Sequence, residues 1–294
     1  MEPGEGNITT LGVVGAGTMG SGIAQVAAQK GYNVVLVDVS QGQLDRGMEA
    51  IRKGLARLVE RGTITEEERD RTIRRITPSL SLEILTPARV VIEAVFEDAT
   101  LKTQVFAELD RLCAPHTVLA SNTSSISITR LAGATRRPDR VIGMHFFNPV
   151  PVMRLVEVVR GHDTSDETTH YIVDLAQRLG KTPVVVNDYP GFVSNRLLCP
   201  MINEAAYALM EGVASREAID TVMKLGMNHP MGPLELADLI GLDVVLSVMR
   251  VLHEGLGDDK YRPCPLLVRM VHAGRLGRKT GRGFYDYTSQ GHTS

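Results

Sequence analysis

From about residue 8 to residue 186, short β-branched apolar runs alternate with longer stretches whose apolar positions recur at helical spacing. The runs cover residues 11–14, 33–38, 89–95, 117–120, 141–145, 155–159 and 183–186, and alternation of this kind predicts strands. Helical patterns occupy 19–30, 43–61, 66–74, 101–113 and 166–179. Strands separated by helices imply a parallel, doubly wound α/β sheet of Rossmann type. The later runs lie closer together, around Asn148-Pro149-Val150-Pro151, and that spacing predicts an antiparallel hairpin.

After Asp188-Tyr-Pro-Gly the texture changes. Leu197, Met201, Ile202, Ala205 and Leu209 follow helical spacing, and Gly212, Gly226, Gly241 and Gly255–Gly257 read as punctuation between helices. The expected organisation is a dinucleotide-binding domain at 1–188 followed by an all-helical domain at 189–294. There is no internal repeat and no low-complexity tract.

Composition adds exclusions. The 294 residues are 43% hydrophobic and 22% charged, as in ordinary globular chains. A net charge of −2 gives no basic field for nucleic acid or an anionic membrane. No apolar run is long enough to span a bilayer. The opening MEPGEGNITT has no signal-peptide character, so the sequons at Asn7 and Asn122 read as chance and a cytoplasmic location is expected. Cys113, Cys199 and Cys264 are odd in number and widely spaced, which fits reduced thiols packed as small hydrophobes. No His/Cys/Asp/Glu grouping has metal-ligand spacing.

The first strand runs into Gly15, Ala16, Gly17, Thr18, Met19 and Gly20, a G-x-G-x-x-G that opens a helix. Gly15 permits the tight turn, Gly17 the approach of a pyrophosphate, and Gly20 close helix–strand packing, while the helix N-terminus offers free N–H groups to phosphates. Asp38, 18 residues after Gly20, ends the second strand and suits a ribose diol. Its charge opposes a 2′-phosphate, so NAD is favoured over NADP, with FAD as the competing dinucleotide. His145 ends an apolar run at the expected ligand edge, where a general base would stand. Glu157, across the predicted hairpin, would orient it and stabilise an imidazolium. The same two residues read alternatively as a core histidine and an outward-facing strand glutamate. Ser124 and Ser125 offer hydroxyl donors or ordinary turn chemistry. A hydrolase triad lacks its G-x-S-x-G here.

With those residues in place the chain resembles the L-3-hydroxyacyl-CoA dehydrogenase family over nearly its whole length. The most specific stretches are Ala120-Ser-Asn-Thr-Ser-Ser125, His145-Phe-Phe-Asn-Pro-Val-Pro151, Asp188-Tyr-Pro-Gly-Phe-Val-Ser-Asn-Arg196 and the block from Asp220 to Asp238. The resemblance implies His145 as general acid/base with Glu157 as its partner. It places Ser124 and Asn195 on the substrate's reacting oxygen and Asn148 at the nicotinamide. Glu97, Lys102 and Lys279 match positions bordering the cofactor. It further implies an acyl-CoA substrate, short-chain by likeness to 3-hydroxybutyryl-CoA enzymes of fatty acid metabolism. That substrate would be held between the domains of a homodimer that buries the helical domain. Tyr189 stands where the family usually has Thr or a small residue.

Arg46, Arg52, Lys53 and Arg57 lie on the helix after Asp38. The resemblance implies that they meet coenzyme A phosphates, Arg52 and Lys53 foremost; the alternative is a solvated face. Leu234, Leu236, Leu239 and Ile240 suggest an apolar surface for dimerisation. Related sugar-acid and carnitine dehydrogenases, and a non-catalytic dinucleotide sensor, remain as alternatives.

Overall fold

Strand-forming and helix-forming stretches sort themselves by what each can bury. The structure, a computed structural model, describes residues 10–288; the sequon at Asn7 and the first residues of the alternating region lie outside them. The strands are β1 (Thr10–Val14), β2 (Asn33–Val37), β3 (Ile76–Ser79), β4 (Val90–Glu93), β5 (Val118–Ser121), β6 (Val141–Phe146), β7 (Leu155–Arg160) and β8 (Thr182–Asn187). They form one sheet in the order β3-β2-β1-β4-β5-β6-β7-β8. All neighbours are parallel except β6 and β7. This is the doubly wound arrangement that the alternation predicts, and the direction of winding reverses between β1 and β4, where such sheets bind ligands.

The interleaved helices are α1 (Thr18–Gln29), α2 (Gln41–Glu60), α3 (Glu66–Arg74), α4 (Ala99–Leu112), α5 (Ile128–Ala132) and α6 (Asp166–Arg178). Their starts follow local chemistry. Thr65 and Glu68 form a capping box on α3, while Asp98 and Ser165 accept from backbone amides at the heads of α4 and α6. Along α2, Leu44, Met48, Ile51 and Leu55 recur at steps of four and three, so one stripe is buried.

Strand β3 escapes the sequence pattern. It is a four-residue edge strand containing Pro78, which only an edge or a strand end tolerates. The five-residue α5 is likewise too short to show a period.

The sheet's two faces divide its residues by parity. Leu11, Val13, Val34, Leu36, Val90, Ile92, Val118, Ala120, Ile142, Met144, Phe146, Val156 and Val158 join one core with residues of α1, α2 and α6. The alternate positions, among them Glu93, Ser121, His145 and Glu157, therefore point to the opposite face. There α4 and α5 lie against β5 and β6.

The chain divides into two compact units, Met1–Asp188 and Tyr189–Ser294. The second contains α7 (Ser194–Met210), α8 (Arg216–Gly226), α9 (Pro233–Ile240), α10 (Leu242–Leu256) and α11 (Pro265–His272). Its own core gathers Ile202, Ala206, Leu234, Leu242, Val245, Met249, Leu252 and Leu267. Leu234 is thus consumed inside the unit and offers nothing to a partner surface, whereas Leu239 is half exposed. Gly255 sits inside α10 rather than after it. A Cβ there would come within 2.8 Å of the Pro190 ring, which accounts for the glycine by close approach. All three cysteines are buried and free, and burial pushes the Cys199 thiol up to about 12. Among the described residues no helix is long and apolar enough to cross a membrane.

Candidate active site

The glycine-rich turn joins β1 to α1 at the point where the winding reverses. Gly15 has φ +102°, and a Cβ on it would lie 2.5 Å from the Ala94 carbonyl oxygen at the end of β4. On Gly20 a Cβ would meet the Gly15 carbonyl oxygen at 1.7 Å. Gly17 is the contrast: nothing lies within 4 Å of the added carbon, so its backbone is open to an approaching group. Thr18 and Met19 follow in the first turn of α1, and Ala16 is buried.

Asp38 does two jobs in this turn. Its Oδ2 accepts from the Ala16 amide at 2.8 Å and its Oδ1 from the Ser40 amide at 3.1 Å. The carboxylate holds the loop and retains lone pairs for a diol. Open backbone at Gly17, a helix N-terminus behind it and a carboxylate at the end of β2 fit an NAD pyrophosphate and adenosine ribose.

His145 and Glu157 are register partners across the β6–β7 hairpin. Opposed residues of antiparallel strands point to the same face, so the pairing follows from register. Both are buried, and His145 Nδ1 stands 2.8 Å from Glu157 Oε2. A carboxylate only accepts, so Nδ1 carries the hydrogen in this pair. The Phe147 ring lies 4.6 Å from the imidazole, centroid to centroid, and closes one flank. The strand glutamate is therefore enclosed and paired.

The loop after β5 carries Ser124 and is organised by Glu97. One carboxylate oxygen of Glu97 accepts from the Thr123 hydroxyl at 2.5 Å, the Ser124 amide at 3.0 Å, the Ser125 amide at 3.1 Å and the Ser125 hydroxyl at 3.0 Å. Burial pushes the Glu97 carboxyl up. The charge of Lys102 and the bonds from Thr123, Ser125 and Ser124 outweigh that, and the net shift is downward.

Lys102 is enclosed, with its ammonium 2.6 Å from Glu93 Oε1, 3.2 Å from the Val95 carbonyl and 3.3 Å from Glu97 Oε2. Three partners account for its three hydrogens, so any part it plays at the cofactor runs through Glu97.

The remaining sequence-derived residues fall elsewhere. Asn148 is exposed in the hairpin loop. Arg46, Arg52, Lys53 and Arg57 lie on the exposed side of α2, with Lys53 3.4 Å from Glu49. Asn195 is in the first turn of α7 in the helical unit, and its amide donates to the Gly191 carbonyl at 3.1 Å. Lys279 belongs to the same unit, bonded to Asp243 at 2.7 Å.

Sequence reasoning missed Glu93 and Asn122. Glu93 is a charge closing the otherwise apolar strand β4, which was the available signal. The Asn122 side-chain oxygen accepts from the Phe146 amide at 2.9 Å and so ties the end of β5 to the residue after His145. Among the described residues no group of three or more His, Cys, Asp or Glu is placed to hold a metal ion.

Comparison with known proteins places the chain in a family. The family model described as 3-hydroxyacyl-CoA dehydrogenase, NAD binding domain, matches residues 10–189, and that of the C-terminal domain matches 191–287. A probable 3-hydroxybutyryl-CoA dehydrogenase from Bacillus subtilis is 60% identical over 95% of this chain and 98% of its own. The 3-hydroxybutyryl-CoA dehydrogenase of Bradyrhizobium diazoefficiens is 55% identical over 95% and 96%. The crystal structure of (S)-3-hydroxybutyryl-CoA dehydrogenase from Ralstonia eutropha superposes with a TM-score of 0.94 at 52% identity, over 96% of this chain and all of that one. The chain belongs to the 3-hydroxyacyl-CoA dehydrogenase family and is an NAD-dependent oxidoreductase.

Proposed function

We propose that the protein interconverts short-chain L-3-hydroxyacyl-CoA and 3-oxoacyl-CoA, with 3-hydroxybutyryl-CoA and acetoacetyl-CoA as its substrate pair. The observation that carries the assignment of roles is the buried His145–Glu157 pair, 2.8 Å apart at the end of the strand register. NAD, held by the glycine-rich loop and Asp38, would supply the hydride acceptor for carbon 3 of the hydroxyacyl group, and NADH the donor in the reverse direction. His145 Nε2 takes the hydroxyl proton in the oxidative direction and gives it back in the reductive one. Glu157 holds Nδ1–H, fixes the tautomer and balances the charge that the ring acquires. Ser124 and Asn195 donate to the substrate oxygen as negative charge develops there. Asp38 takes the adenosine ribose, Asn148 lines the nicotinamide, and Glu97 and Lys279 border the cofactor. Arg52 and Lys53 meet the phosphates of coenzyme A.

The enzyme works as a cytoplasmic homodimer. Three buried free thiols support a reducing compartment. Exposed apolar side chains at the end of the α8 segment, Val222, Leu225 and Met227, support a partner surface. The deciding measurement follows NADH absorbance with acetoacetyl-CoA, beside NADPH and free acetoacetate. Rapid oxidation that needs both NADH and the CoA ester is expected; turnover of free acetoacetate at the same rate overturns the substrate class.

A further inference from the structure

Two buried charges beside the reversal point of the sheet take no part in the reaction described above. Glu93, 0% exposed, ends β4, and Lys102, 1% exposed, reaches it from α4. Glu93 Oε1 accepts from the Lys102 ammonium at 2.6 Å and the Val95 amide at 2.7 Å; its Oε2 accepts from the Ser121 hydroxyl at 2.7 Å. Two arms then run to the same loop. Along one, Ser121 Oγ accepts from the Thr123 amide at 3.1 Å. Along the other, Lys102 stands 3.3 Å from Glu97, whose carboxylate gathers the amides of Ser124 and Ser125 and the hydroxyls of Thr123 and Ser125. The Thr123 hydroxyl oxygen in turn accepts from the Ser125 and Ile126 amides.

Ser124 is thus flanked by backbone tied on one side to the buried Glu93 through Ser121 and on the other to the partly exposed Glu97, which Lys102 joins to Glu93. A buried ion pair is poor evidence for stability, because apolar residues of like volume commonly do as well. What this one specifies is geometry: Glu93 and Ser121 share the sheet face of His145 and Glu157, and the pair links β4, β5 and α4 to the loop that presents Ser124.

We propose that Glu93 is a positioning residue for the reaction, acting through Ser121 and through Lys102–Glu97 to set the direction of the Ser124 hydroxyl. The inference rests on the reading of Ser124 as a donor to the substrate oxygen. Hydroxyl donors work only if they are aimed before the charge develops, and small displacements of catalytic groups cost large factors in rate.

The test is steady-state kinetics with NADH and acetoacetyl-CoA on Ser121→Ala, Glu93→Gln and Ser124→Ala. The doubles Ser121→Ala/Ser124→Ala and Glu93→Gln/Ser124→Ala complete the set, with NADH affinity followed by fluorescence and Tm by calorimetry. Each single variant is expected to lower kcat about 10-fold or more with NADH affinity unchanged. Neither double should be slower than Ser124→Ala, because Glu93 acts only through that hydroxyl. If Glu93→Gln does not fold, Ser121→Ala, which removes one oxygen, carries the test alone. Effects that multiply in the doubles overturn the proposal. So does a normal kcat accompanied by a lowered Tm, the mark of a purely structural pair. An inert Ser124→Ala removes the reading beneath the inference and the inference with it. A slow Ser124→Ala beside normal Ser121→Ala and Glu93→Gln overturns the inference alone.

Discussion

Both units bury carboxylates, and they bond them to different things. In the sheet unit, Glu93 ends β4 and Glu157 lies within β7, and they bond mostly to other side chains: an imidazole, an ammonium and a serine hydroxyl. In the helical unit, Asp220 and Asp238 are as deeply buried but mostly collect backbone. Asp220 accepts from the amides of Leu234 and Glu235 in the first turn of α9 and from the Tyr285 hydroxyl at 2.7 Å. Asp238 accepts from the Phe284 and Tyr285 amides at 2.8 and 2.9 Å and from the Tyr287 hydroxyl at 3.1 Å. These two aspartates fasten the chain's last described segment onto α8 and α9. A buried charge therefore does not mark chemistry by itself. The proposed site is where side-chain partners gather at the ligand edge of the sheet, whereas amide partners mark a bracket that satisfies otherwise orphaned backbone.

The contrast is broken or sharpened by substitutions on each side. The largest expected effect is on rate: His145→Ala should lose about 10²–10⁴-fold in kcat while NADH still binds and Tm stays near that of the parent. Near-normal turnover would refute the assignment.

On the other side, Asp238→Ala strands two amides and a hydroxyl and should lower unfolding free energy by about 3 kcal/mol, measured by urea titration. The folded fraction should turn over as before. A variant that kept its stability but lost its turnover would erase the distinction between the units.

Asp38→Ala should move the NADH/NADPH preference by about 10-fold toward NADPH, read from kcat/KM with each cofactor. An unchanged ratio would leave Asp38 only its role in holding the Ala16 and Ser40 amides.

The smallest effect concerns pH, where the two units have opposite signs. Glu97 has its carboxyl lowered from an ordinary 4.5, so its stabilising bonds are complete above that pH and are lost as pH falls through the lowered value. Asp238 is raised from an ordinary 3.8: burial pushes it up more than the bonds from Tyr285, Phe284 and Tyr287 pull it down, with the charge of Asp220 adding to the rise. Its neutral form favours the folded state below 3.8, and that contribution is lost as pH rises through the raised value. Asp238→Asn should flatten stability against pH just above 3.8, and Glu97→Gln just below 4.5. Identical profiles for the two variants would show that the sign difference is not there.

Much of the fold is legible in the chain because its information is local. Runs such as Val34–Val37 bury both faces and so read as strand without neighbours in view. Thr65 with Glu68 announces the start of α3 three residues apart, and the glycine spacing from Gly15 to Gly20 carries its own steric requirement. Strand β3 was not legible because Ile76–Ser79 has neither length nor period, and only an available edge beside β2 makes it a strand.

The sequence alone determined the cofactor loop, the α/β alternation, the change to helix after Asp188 and the residue types proposed for proton transfer, since each depends on neighbours within one element. Tertiary structure alone decided that His145 and Glu157 are opposed, because a one-residue slip of β7 would send Glu157 to the other face. It also decided that Glu93, Lys102, Glu97 and Ser121 converge on the Ser124 loop. Those residues come from strands and a helix separated in sequence, and hydrogen bonds between them exist only once the parallel sheet has closed around β4.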